Sequence, residues 1–113
     1  FLAQHRGDHQ AAIDGTRQAM NIALDMGNRG EIAWGLPIIA GSLSALGQPE
    51  HAARLLGTSD AFLEHLGTFI MPADKQEFDR IRAEVCALLG DAAFETAYAE
   101  GRTTTLEQAV ASI

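Results

Sequence analysis

Glycine, paired with asparagine, aspartate or proline, cuts this chain into segments the length of helices. The breaks fall at Gly7-Asp8, Gly27-Asn28, Gly47-Gln48-Pro49, Gly67 through Pro72, Gly90-Asp91 and Gly101 through Thr105. Each joins a residue that accepts left-handed backbone at a helix end to one that can cap or start the next helix. Asn28 with Glu31, and Thr105 with Gln108, have the spacing of a capping box. Pro49 and Pro72 suit a first helical turn, where the missing N–H costs nothing.

Between the breaks, apolar residues recur with helical period. Ala12, Ala19, Ala23 and Met26 form one stripe of the first long block, with Ile13, Met20 and Leu24 beside it. The next block carries Ile32, Leu36, Ile39, Leu43 and Leu46, and its other faces are also apolar, with Ala33, Trp34, Ile38 and Ala40. A helix apolar all round needs neighbours on several sides. Ala52, Leu56, Leu63 and Leu66 mark the third block, and Phe78, Ile81, Val85 and Leu88 the fourth. Two shorter blocks follow at 91–100 and 105–112. No useful stretch alternates with period two, so the expected class is all-α. Pro37 stands inside the second block, where it removes a backbone hydrogen bond; a kink or a late helix start is expected there.

The pattern also repeats. Gly7 and Gly47 are forty residues apart, as are Gly27 and Gly67, and Ala12 matches Ala52 at the same offset. Repeats of roughly 20–50 residues built from two helices signal a helical solenoid, in which each hairpin buries its face against the next. The expectation is one domain over 1–113, a tetratricopeptide-like α-α superhelix. Its repeat region would cover 1–67 and C-terminal capping helices 68–113, with Phe94 and Tyr98 as core anchors and Gly101 as a helix terminator.

The stretch Arg6 to Trp34 resembles a tetratricopeptide-like repeat: glycine turn, small alanines, polar turn, second helix. The stretches Gly47–Gly67 and Phe78–Val110 resemble the C-terminal end of large bacterial signalling ATPases. The resemblance rests on AARLLG at Ala52–Gly57, the turn LGDAAF at Leu89–Phe94, and the tail AYAEGR with TLEQAV. Pro37 and Cys86 depart from the pattern. In that family a nucleotide-binding domain and a LuxR-type or winged-helix output domain accompany such repeats. The resemblance therefore implies a cytoplasmic fragment of a longer transcriptional regulator, acting as a protein-interaction or sensor module.

Residue chemistry adds no activity. The phosphate-binding motif G-x-x-x-x-G-K-[S/T] is missing from the chain. His5, His9, His51 and His65 lack metal-ligand spacing, and the single Cys86 sits in an apolar helical pattern. Ser42 and Ser44 lack the strand–turn–helix setting of a nucleophile elbow, and the proximity of Ser59, Asp60 and His65 in sequence makes no triad. The last two blocks mimic a helix-turn-helix, yet residues 91–113 set Arg102 alone against Asp91, Glu95, Glu100 and Glu107. With a net charge of −7 and 47% hydrophobic residues, neither nucleic acid nor an anionic membrane is an expected partner. No basic segment precedes an apolar stretch, so no signal peptide is expected. No catalysis and no cofactor are expected; the partner is a protein or another domain of the parent chain. Homodimerisation is the alternative, with a small-molecule sensor or a DNA-binding domain behind it.

Overall fold

The computed structural model describes residues 2–66 and 72–113, and among these it is all-helical. The helices are α1 (Leu2–Met26), α2 (Arg29–Ala45), α3 (Pro49–Leu66), α4 (Pro72–Leu89), α5 (Asp91–Arg102) and α6 (Leu106–Ala111). The Cα radius of gyration is 13.3 Å, close to the ~13 Å of a single domain this long. The helices therefore gather rather than trail.

Two turns are built as the sequence predicts. After α1, Gly27 adopts φ +74°, its N–H bonds Leu24 O at 3.1 Å, and Asn28 N–H reaches Ala23 O at 2.8 Å. After α2, Gly47 repeats the arrangement at φ +86°, bonding Ser44 O, while Gln48 N–H reaches Leu43 O at 2.8 Å. This paired closure satisfies two of the carbonyls left over at each helix end. Asn28 is the N-cap of α2, but its side chain makes no cap hydrogen bond. At α6 the capping box does form: Thr105 Oγ1 accepts from Gln108 N–H, and Gln108 Oε1 from Thr105 N–H, both at 3.1 Å. Gly90, at φ 86° and ψ 154°, alone joins α4 to α5, in backbone space that side chains essentially forbid.

Gly7 corrects the expected break: α1 runs through it without interruption. One intrahelical glycine costs only about 1 kcal/mol against alanine, too little to stop a long helix. Gly67 lies outside the described residues. Ala12, expected on the buried stripe, is exposed together with Ala19 and Met26. Of the expected stripe Ala23 is buried, and the interior is otherwise filled by Ile13 and Met20 from the row beside it, because these larger side chains remove more apolar surface from water. Ala52, by contrast, is fully buried, so the Ala12–Ala52 match does not extend to burial.

α2 and α3 are the centre. α2 touches α1, α3, α4 and α6, as its all-round apolarity requires, and α3 touches α2, α4, α5 and α6. Ile32, Leu36 and Ile39 of α2 meet Leu55 and Leu56 of α3 and Val85 of α4 in one core. Each is essentially inaccessible to water, which stabilises the fold by about 1.5–3 kcal/mol per side chain. α6 folds back onto α1, α2 and α3, held at its ends by an Arg29–Glu107 ion pair and a 2.9 Å hydrogen bond between His51 and Ser112.

α2 continues through the buried Pro37, so the late start is not what occurs. Proline has no N–H for the carbonyl four residues back, which here is that of Ala33. Ser59 of α3 donates to Ala33 O at 2.6 Å, and both residues are 0% exposed. A neighbouring helix thus supplies the donor that Pro37 lacks.

α3 and α5 cross unusually closely. A methyl group at Gly57 would lie 2.1 Å from Tyr98 O, and one at Gly101 would lie 1.8 Å from Arg54 O. Thr58 Oγ1 sits at the crossing, 2.7 Å from Gly101 O and 3.1 Å from Arg54 O. Gly101 is therefore no terminator: α5 extends to Arg102, and the glycine is there so that two backbones can touch.

Candidate functional site

α1 and α4 both lean on α2 and leave a trough between them. One end is an apolar cavity of ≈ 350 Å³, lined by Met20 and Ala23 of α1, Trp34, Gly35 and Ile38 of α2, and Phe78 of α4. The Trp34 and Phe78 rings meet at a centroid distance of 5.5 Å, tilted by 56°. Gly35 forms part of the floor beside Met20, whose Cε would lie 2.7 Å from a methyl group placed there. A second cavity of ≈ 390 Å³ continues the trough past Gly41, Ser42 and Ile81.

Ile38 and Glu77 line both cavities and mark where they join. Ile38 is 52% exposed, a large aliphatic side chain facing water at the middle of the trough. The rim on α4 carries Glu77, Arg80 and Glu84. Arg80 bonds Glu77 and lies 2.5 Å from Glu84. The Arg80 hydrogen bond holds the Glu77 carboxyl below its ordinary value of 4.5, so the carboxylate stays charged.

A second polar cluster joins α3, α4 and α5. Tyr98 donates its hydroxyl to Asp60 at 2.5 Å, and Asp60 also pairs with Arg82. The guanidinium groups of Arg82 and Arg102 lie 6.0 and 5.9 Å from the Tyr98 ring centroid, while Arg102 pairs with Glu64 at 2.6 Å. Burial, then the Asp60 hydrogen bond, raises the Tyr98 pKa. Phe94 stacks on Tyr98 at 5.6 Å, and both are half-buried, so they form the edge of the core rather than its centre. Every charge in this cluster is matched within it, and the arrangement staples three helices.

Of the positions singled out from sequence, Gly27 and Gly47 shape the turns at the two ends of α2 and Ala52 lies in the core; none lines the trough. Ile38 was legible only as one apolar residue among many. Its exposure depends on α1 and α4 standing apart, which no local pattern reports. The Ser59–Asp60–His65 grouping disperses: Ser59 bonds the α2 backbone, Asp60 joins Tyr98, and His65 is exposed. Among the described residues no His, Cys, Asp and Glu side chains gather as a metal site, and no helix is long and apolar enough to cross a membrane.

His51 gives the fold a dependence on pH. Burial, then the charge of Arg54, lowers its pKa from 6.5. The unfolded chain therefore binds the proton more readily, and stability falls as pH drops from 7 through the ordinary histidine range. Glu77 and Asp79, held low by Arg80 and Lys75, lose their contributions only in more acidic solution. Urea titrations between pH 7 and 5.5 should show the decline in the native protein and a shallower one in His51→Gln; equal slopes would remove His51 as its cause.

No family model matches the chain, and neither the curated proteins nor the solved structures provide a match.

Proposed function

We propose that this chain is a non-catalytic helical interaction module, a tetratricopeptide-like piece of a bacterial signalling regulator, which docks a protein segment in the trough over α2. The observation that carries this reading is Ile38, half-exposed where two cavities meet between α1 and α4. Water-facing aliphatic side chains in a concave apolar setting mark binding surfaces more often than isolated ones do. Successive helices joined by short glycine turns at Gly27 and Gly47 support a helical-hairpin reading, although α1 runs through Gly7, the position the forty-residue repeat pairs with Gly47; the resemblance of the C-terminal half to signalling ATPases supports the regulator setting.

Selection of peptides from a random display library against the folded chain tests the proposal. Enriched peptides should lose affinity by at least about tenfold on Ile38→Glu, a change the half-exposed position tolerates without unfolding. Binders unaffected by that substitution would overturn the trough as the site. If they depend instead on Ile22 and Met26, 60% and 75% exposed on the outer face of α1, the homodimer or repeat-stacking reading gains what the trough loses.

A further inference from the structure

Building on the trough as the docking site, we infer that its occupant is an amphipathic α-helix of about four turns with lysine or arginine along the edge that meets α4.

Backbone chemistry selects the helix. The trough is walled by helices whose own backbone groups are already bonded along their axes, and the described residues hold no strand edge to extend. A peptide lying there finds no main-chain partners, so it must satisfy its own N–H and C=O groups. Only a helix does that while turning apolar side chains to one side, at positions i, i+3, i+4 and i+7. Length agrees. The α1 wall runs from His9 in the second cavity to Ala23 in the first, about 21 Å at 1.5 Å per residue, or about 14 residues of a bound helix.

Charge selects the basic edge. On the α4 rim, Arg80 is shared between Glu77 and Glu84, leaving one carboxylate charge in excess. The lining residues of α1 include no lysine or arginine. Behind the rim Asp79 is met by Lys75 and Arg82, and the chain as a whole carries −7. An acidic helix would meet like charge on approach, whereas a basic one would be steered in and oriented with its cations toward α4.

Two synthetic peptides of about 14 residues test this, both with leucines at the four spaced positions, one flanked by lysines and the other by glutamates. Titrated into the isotopically labelled full chain at low salt, the lysine peptide should shift the amides of Trp34, Ile38 and Ile81. By fluorescence anisotropy it should bind about five- to tenfold more tightly than the glutamate peptide. The Glu77→Lys/Glu84→Lys double variant should reverse that order, with Glu77→Gln narrowing it and circular dichroism verifying that each variant is folded. Equal affinities, a preference for glutamate, or shifts confined to other surfaces would defeat the inference. If display-selected peptides still depend on Ile38, the docking reading stands without it; if those fail as well, both fall together.

Discussion

Gly101→Ala should lower the folding stability by about 2–4 kcal/mol, although alanine is the better helix former by roughly 1 kcal/mol. The reason is the α3–α5 crossing. The new methyl group would stand 1.8 Å from the carbonyl oxygen of Arg54 and 2.6 Å from its carbon, both backbone atoms that no rotamer change can move. The helices must part, and parting them also stretches the Thr58 bond to Gly101 O. Gly57→Ala should cost a similar amount, its methyl group meeting Tyr98 O at 2.1 Å. Gly15→Ala is the control with the opposite sign. It lies inside α1 with nothing within 4 Å of the added carbon, so it should gain up to about 1 kcal/mol. Urea denaturation of the three variants measures all of this, and a Gly101→Ala protein as stable as the parent would refute the contact.

Ser59→Ala should cost about 1–3 kcal/mol in the native background and less than about 1 kcal/mol when Pro37 is also alanine. In the native chain, Ser59 is the donor to Ala33 O, in a position water does not reach. Removing it strands a buried carbonyl. Alanine at 37 restores the N–H four residues on, which closes the ordinary helical bond to Ala33 O and makes the serine dispensable. A double-mutant cycle from urea midpoints isolates that coupling. Additive single changes would show that Ser59 and Pro37 are unrelated.

These two sites mark where reading the chain succeeds and where it stops. The class and several helix limits are legible because glycine closures and apolar period are local: Gly27, Gly47 and the Thr105–Gln108 box behave as their neighbours in sequence require, whereas Gly7 stands inside α1. Pro37 was visible as a difficulty, but its solution lies on another helix, and no spacing connects residue 37 to residue 59. Gly101 carries the local signature of an ending, because a glycine near a helix end usually is one. Its actual neighbour is Arg54, forty-seven positions earlier. On α1 the helical period places Ala23 in the interior, but the larger Ile13 and Met20 take the places that Ala12, Ala19 and Met26 share by spacing. The trough was out of reach for the same reason. Its existence depends on two helices failing to touch.

The single glycine between α4 and α5 ties that trough to the rest of the molecule. With one residue as the joint, a tilt has only the two dihedrals of Gly90 in which to be absorbed. A wedge pressed beneath Phe78 and Ile81 would swing α4 like a crank arm and drag the start of α5 with it. At its far end α5 is pinned by the glycine crossing, so the motion would load the contact at Gly57 rather than dissipate in a loop. A displacement of α4 would thus reach α5 through one backbone joint and the direct α4–α5 contacts.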